Sequence, residues 1–243
     1  MTELLLPRSA ADIDARPAGT SLLAGGTDVL VQRRAGRPFG TLVDLTNLAD
    51  APAPVVVGDD AITMSALAPI GLIATALGAE LPGLRAAVAA FASAQIRNRA
   101  TLGGNLANAS PAADCVPPLV AAGALLQLRG PQGSRTVPVD AFALGPGRTA
   151  LGDGEWIVTV TVPRAPQAEQ GFRKIAGRQA LAISIVSLAW QWRRDADGTL
   201  RDVRLAAGAV APTVVRCPRA EAVLEAQQPS PEVATAAAGA LAA

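Results

Sequence analysis

Two glycine pairs fix where this chain must turn: Gly25-Gly26 in "TSLLAGGTDVL" and Gly103-Gly104 in "QIRNRATLGGNLANASPAAD". Glycine weakens a helix or strand that contains it, and a proline such as Pro111 removes a donor from any ladder. The stretch from Thr101 to Asp114 is therefore expected to be an ordered loop that leaves a helix and forms no regular element of its own. The first pair sits in a different pattern. A short apolar strand runs into Gly25-Gly26, Thr27 is the expected N-cap, Asp28 to Gly36 reads as a helix closed by its glycine, and "TLVDL" reads as a second strand. Together they make a compact βαβ unit.

Downstream, "VVVGDDAITM" reads as a hairpin turning at Gly58-Asp59-Asp60. Helices are expected over 69–78 and 83–96, the second with Leu84, Val88, Phe91 and Gln95 on one face. A helix over 117–123, strands "ALLQLR" and "RTVPV", and the β-branched run "EWIVTVTVP" complete the middle of the chain. The last third changes texture. "GFRKIAG" and "LAISIVSLAWQWRRDADGTLRDVRLAAGAV" read as three antiparallel strands with a turn at Asp195 to Gly198, and helices follow over 218–226 and 231–242.

The chain of 243 residues contains no His and no Tyr. A Ser-His-Asp triad, His-ligated zinc or haem, and an imidazole general base are all excluded, so any chemistry is expected to reside in a bound cofactor. Cys115 and Cys217 form no C-x-x-C pair and read as ordinary buried thiols. A net charge of +1 with 17% charged residues gives no nucleic-acid footprint. No apolar run reaches the ~18 residues of a membrane span, and "MTELLLPRSAAD" lacks the form of a signal peptide. A cytoplasmic protein with small-molecule or protein partners is expected.

A helix that starts just after two glycines turns free N–H groups and the positive end of its dipole toward the turn, an arrangement that holds phosphate. The same turn also occurs with nothing bound. In the second stretch, consecutive unobstructed amides, Asn105, Asn108, Ser110, Arg97 and Arg99 suit an oxygen-rich anion, and Asp114 suits a ribose hydroxyl. A crossover loop with internally satisfied Asx and Ser turns is the alternative. Two glycine loops facing each other across a subdomain boundary can hold one pyrophosphate.

The stretches "LLAGGTDVL", "ASAQIRNRATLGGNLANASPAADCVPPLVAAGA" and "GFRKIAGRQALAISIV", in this order and spacing, resemble the FAD-binding medium subunit of molybdenum hydroxylases, the xanthine dehydrogenase and carbon monoxide dehydrogenase flavoprotein group. The resemblance covers nearly the whole chain. It implies an α+β architecture: a PCMH-type FAD-binding fold of two subdomains, 1–56 with the AGGTD loop and 57–165 with the TLGGN loop. A C-terminal domain over 166–243, a three-stranded antiparallel sheet with helices, completes it. Carried over position by position, Leu23, Ala24, Gly25, Gly26, Thr27 and Asp28 form one pyrophosphate loop. Thr101, Leu102, Gly103, Gly104 and Asn105 form the other, and Ser110 and Asp114 complete the polar contacts. Phe91, Leu151 and Lys174 match further contact positions. Phe172 stands where some relatives have a tyrosine near the isoalloxazine ring.

The resemblance implies an oxidoreductase subunit that binds FAD noncovalently and has no catalytic side chain or metal of its own. Its partners would be a large molybdopterin-binding subunit and a small subunit with 2Fe-2S clusters, assembled as a heterohexamer of two copies of each. Electrons would pass from those clusters through FAD to NAD+ or another acceptor. A flavin-free scaffold subunit and a stand-alone FAD reductase of the same fold are the alternatives.

Overall fold

The computed structural model describes residues 3–178 and 181–242, so Gln179 and Ala180 of the third motif lie outside the described residues. The chain begins with a strand, β1 (Leu4–Leu5), and a helix, α1 (Ala10–Asp14). Ser9 starts that helix with a capping box: its hydroxyl accepts from Asp12 N while the Asp12 carboxylate accepts from Ser9 N. The βαβ unit follows as β2 (Ser21–Leu23), α2 (Val29–Arg34) and β3 (Leu42–Asp44). All pairing here is parallel, in the order β1-β3-β2. The N-cap of α2 is Asp28, not Thr27, and its side chain makes no capping bond. Gly36 ends the turn after α2 at φ +90, a conformation that favours glycine.

The middle of the chain forms β4 (Val55–Val57), β5 (Ala61–Ser65), α3 (Ile70–Ala76), α4 (Pro82–Ala90), α5 (Ala94–Arg97), α6 (Leu102–Ala107) and α7 (Val116–Ala121). It continues through β6 (Leu125–Gly130), β7 (Gly133–Pro138), a small hairpin of β8 (Ala143–Gly145) and β9 (Arg148–Thr149), and β10 (Trp156–Pro163). Five strands make an antiparallel sheet in the order β4-β5-β10-β6-β7. The alternation of β5, β6 and β10 turns Ile62, Met64, Leu126, Leu128, Val160 and Val162 toward the helices, where they meet Ile73, Leu84, Leu102 and Leu119 in the main core.

Two sequence expectations fail here. The helix expected over 83–96 breaks after Ala90: Phe91 is extended and Ala92 has φ +39. Ser93 then caps a new helix by accepting from Ile96 N, and Arg97 Nη1 donates to the Phe91 (2.7 Å) and Ala92 (3.2 Å) carbonyls that the break leaves free. Gln95 is consequently exposed on α5, off the Leu84–Val88 face. The glycine stretch is not a loop throughout either, because Leu102–Ala107 is helical. Thr101 Oγ1 accepts from Gly104 N at 3.0 Å, and Gly103 N donates to Ala66 O at 2.8 Å. A Cβ on Gly103 would sit 2.8 Å from that same oxygen. Close backbone contact and a cap outweigh glycine's poor helix propensity.

The last third contains β11 (Glu169–Ala176), β12 (Ser184–Arg194), β13 (Leu200–Gly208), β14 (Val215–Arg216), α8 (Pro218–Leu224) and α9 (Pro231–Ala242). The three long antiparallel strands stand as expected, and the two-residue β14 adds a fourth to the sheet. Helices α8 and α9 cover it with a small core of Leu200, Val203, Leu205, Ala220 and Ala237. Carboxylates from the α8 end cover the β13 backbone beyond β14: Glu221 accepts from Leu205 N (2.8 Å), and Glu225 accepts from Val203 N (2.9 Å).

Two seams position the functional region. Trp156 of β10 inserts into the core of the first sheet with Ile13, Val43 and Leu48, donating to Asp14, which also pairs with Arg129. On the other side, α4 lies on β11 so closely that a Cβ on Gly83 would be 3.3 Å from Gly171 O. Among the described residues, no helix is long and apolar enough to cross a membrane.

Candidate functional site

The β2–α2 turn and the start of α6 meet directly. Gly25 packs on the backbone of Arg99 and Ala100, and Gly26 turns away with φ +74. A cavity of about 630 Å³ opens beside this contact, between the first and second sheets. Ala24, Gly25, Gly26, Thr27 and Asp28 line one wall; Thr101, Gly103, Gly104 and Asn105 line the facing wall, with Phe91 and Leu151 at the edges. Leu23 and Leu102 are outside the lining, Leu102 being a buried core residue.

The two glycine loops offer different chemistry. The backbone amides of Gly25, Gly26, Thr27, Asp28 and Val29 have no acceptor among the described residues. Those of Gly103, Gly104 and Asn105 are taken by Ala66 O, Thr101 Oγ1 and Thr101 O. Of the free amides expected at both glycine pairs, those at the first are found and those at the second are taken. What the second wall contributes is an unmet acceptor, since Asn105 Oδ1 is buried without a hydrogen-bond partner. Thr20 Oγ1, also on the cavity wall, is buried and unpartnered as well. Buried polar atoms are nearly always satisfied, so these two are open to a polar ligand or a water in the cavity.

Charge is arranged around the same space. Arg16 is held by the carbonyls of Ile13 (2.8 Å) and Glu155 (3.1 Å), and burial pushes its pKa below the usual guanidinium value. Burial raises the Asp28 carboxyl above its ordinary range. Glu155 is bound bidentately by Arg135, whose guanidinium lowers its pKa. Among the described residues no group of His, Cys, Asp and Glu could hold a metal. Cys115 is fully buried and Cys217 half-buried, both as free thiols with pKa values raised by burial.

Asp114 and Lys174 lie outside this cavity and meet each other. Asp114 Oδ2 is 2.6 Å from Lys174 Nζ, and its Oδ1 accepts from Ser184 Oγ at 2.7 Å. The lysine side chain is 10% exposed and the aspartate 5%. Lys174 borders a second cavity of about 660 Å³ with Ala86, Ala90, Phe172 and Arg178. Ala90 lines this one and its neighbour Phe91 lines the first, so the break after α4 stands between them. Ser110 is in neither, and its hydroxyl accepts from Ala112 N in a local turn.

Sequence reasoning missed Ser184, Thr20, Arg16, Gln32, Arg37 and Phe39. For Ser184 a signal existed: it is the hydroxyl between Ile183 and Ile185, both exposed, so a strand period turns it inward. The others carry no motif: Arg16 is held at the cavity by the Ile13 and Glu155 carbonyls, and Thr20, Gln32, Arg37 and Phe39 lie on or beside the β2–α2–β3 unit that forms its wall.

Comparison with known proteins adds the lineage of this geometry. The family described as "FAD binding domain in molybdopterin dehydrogenase" matches residues 7–165, and "CO dehydrogenase flavoprotein C-terminal domain" matches 171–243. The chain is 38% identical over 205 residues to the xanthine dehydrogenase FAD-binding subunit of Escherichia coli O157:H7, covering 82% of this chain and 70% of that one. It is 32% identical over 237 residues to the nicotine 6-hydroxylase medium subunit of Paenarthrobacter nicotinovorans, covering 94% and 80%. A solved structure of carbon monoxide dehydrogenase from Hydrogenophaga pseudoflava superposes with a TM-score of 0.92 at 29% identity, over 98% of this chain and 85% of that one.

Proposed function

The chain belongs to the FAD-binding subunits of molybdopterin dehydrogenases, and we propose that it holds noncovalent FAD across both cavities as the flavin subunit of such a complex. The observation that carries this reading is the pairing of unmet donors with an unmet acceptor: five free amides from Gly25 to Val29 face Asn105 Oδ1 across one space. A pyrophosphate needs the former, and a sugar hydroxyl needs the latter. Gly25 and Gly103 let the two walls close on neighbouring backbone, Gly25 on Arg99 and Gly103 on Ala66. Phe91 marks the passage toward the second cavity, where the isoalloxazine ring would lie beside Lys174. Asp114 holds that ammonium and is itself held by the Ser184 hydroxyl, so an oriented ion pair with its cationic end on Lys174 would border the ring end. Leu151 would give an apolar contact on the wall of the first cavity.

When bound, FAD supplies one-electron exchange with iron–sulfur clusters and two-electron exchange with an acceptor such as NAD+. The chain's own groups bind, orient and shield, and none need transfer a proton, which suits a sequence without histidine. Molybdopterin and the 2Fe-2S clusters belong, on this reading, to a large and a small partner subunit. Two copies of each subunit would form a cytoplasmic heterohexamer.

The test is the absorption spectrum of the purified protein, with acid release and identification of the chromophore. Flavin bands and free FAD are expected. A colourless protein that stays colourless with added FAD, alone and when co-expressed with its partners, would leave a flavin-free scaffold as the reading.

A further inference from the structure

Helix α4 ends at Ala90, and the chain leaves it abruptly: Phe91 is extended and Ala92 has φ +39. An alanine keeps that conformation only where its surroundings impose it. Three consecutive carbonyls at this turn accept from side-chain cations. Ala90 O accepts from Lys174 Nζ at 3.5 Å, while Phe91 O and Ala92 O both accept from Arg97 Nη1, at 2.7 and 3.2 Å.

Arg97 pairs with no carboxylate among the described residues, so its charge is directed at those two peptide groups. It is also held from behind. Its helix α5 is capped by Ser93 and packs on α3, where a Cβ at Gly71 would stand 3.3 Å from Arg97 O. The sequence suggests an anion contact for this arginine, yet Arg97 lines neither cavity. What it grips does reach them. Phe91 stands on the wall of the first, packed against the main core, and Ala90 on the wall of the second.

We propose that Arg97 is a positioning residue for the bound flavin. Without touching the ligand, it clamps the Phe91–Ala92 turn and so fixes the Phe91 ring on the wall of the first cavity. The proposal rests on the flavin reading above and adds to it a residue that acts only through another.

The experiment measures the rate of FAD release, followed by the rise of free-flavin fluorescence on dilution, and the thermal unfolding of the flavin-free proteins. It compares wild type, Arg97→Met, Arg97→Lys, Phe91→Ala and the double variant Arg97→Met with Phe91→Ala. Arg97→Met is expected to release FAD about tenfold faster, the order of a lost charge-assisted hydrogen bond. Arg97→Lys keeps a cationic donor for the carbonyls and should fall between Arg97→Met and wild type. On the Phe91→Ala background, Arg97→Met should change release by less than about twofold, because the ring it positions is gone. Its thermal loss, which comes from unpaired carbonyls, should be the same on both backgrounds. An equal acceleration on both backgrounds, or none on either, would overturn the proposal and leave the flavin reading intact. Should Arg97→Met fail to fold, Arg97→Lys on the two backgrounds gives the same comparison. A folded wild-type protein that takes up no FAD, alone or with its partners, would overturn the flavin reading and the positioning role with it.

Discussion

Gly25 is packed on Arg99: a Cβ built at Gly25 would overlap the Arg99 carbonyl oxygen and stand 3.0 Å from Ala100 Cα. Arg99 and Ala100 immediately precede Thr101, the N-cap of α6, so the two glycine loops form one packed unit and their separation is set by a missing methyl group. Gly25→Ala must push them apart against backbone, which does not yield. It is expected to destabilise the flavin-free protein by about 1–3 kcal/mol and to abolish FAD retention. Gly104→Ala meets only Thr101 Oγ1 at 3.0 Å. That variant should unfold near the wild-type temperature while holding FAD less tightly. Thermal unfolding of the two flavin-free variants distinguishes these outcomes, and equal destabilisation would contradict the packing difference.

Asp28 sits among the free amides, and burial raises its pKa above the ordinary value near 3.8. A carboxyl whose folded pKa exceeds its unfolded one makes the folded state bind more protons, so its ionisation costs stability as pH rises through that pKa. Beside a pyrophosphate the same negative charge opposes binding. FAD affinity should therefore weaken as pH rises through the Asp28 transition, and Asp28→Asn should flatten this dependence and match or exceed wild-type affinity at neutral pH. Fluorescence titrations of both proteins across the acid range check it; an unchanged slope in the variant would remove Asp28 as the cause.

At the other end of the chain, the Glu169 carboxylate accepts from Arg194 Nε (2.8 Å), Arg194 Nη2 (3.0 Å) and Trp192 Nε1 (3.0 Å). Arg194 first, then Trp192, lowers its pKa from 4.5 to about 2. A depressed carboxyl stabilises the fold fully above its unfolded pKa and loses that contribution as pH falls toward the folded one. Glu169→Gln should be less stable than wild type above pH 4.5, with the gap closing between 4.5 and 2. Trp190 and Trp192 are stacked at 6.0 Å, so two of the three tryptophans report this corner during acid unfolding, and Trp156→Phe as background removes the third. A gap that stays constant with pH would point to lost packing instead.

What could be read from the sequence was what lies close along the chain. The βαβ unit, the hairpin at Gly58-Asp59-Asp60 and the long C-terminal strands follow from period and turn residues, and the structure shows each of them. The two glycine pairs were legible as neighbours of one cavity. Their division of labour was not, because the amides of Gly103 and Gly104 are consumed by Ala66 and Thr101, and Ala66 is remote in sequence. The break at Phe91 and Ala92 was hidden in an alanine-rich run whose helix propensity is high throughout. It is decided by the Ser93 cap and the Arg97 guanidinium. Thr20 and Phe39 had no local signal, since they precede strands whose pairing, and not their own spacing, puts them on the cavity wall.

The pair of Lys174 and Asp114 offers the sharpest separation of stability from function. With the aspartate side chain 5% exposed and the lysine 10%, either charge left alone is stranded in a poorly solvated place. Lys174→Met and Asp114→Asn should each cost about 3–5 kcal/mol, and the double variant should recover most of the loss because no unpaired charge remains. Urea unfolding of the four proteins forms the cycle; single variants costing less than about 1 kcal/mol would mean that the pair behaves like an exposed one. The flavin readout runs differently. Every variant lacking the lysine should show a more negative flavin reduction potential, since a fixed cation favours the reduced, more negatively charged ring, and the double variant should share that shift despite its restored stability. A potential that followed stability instead would make Lys174 a structural residue alone.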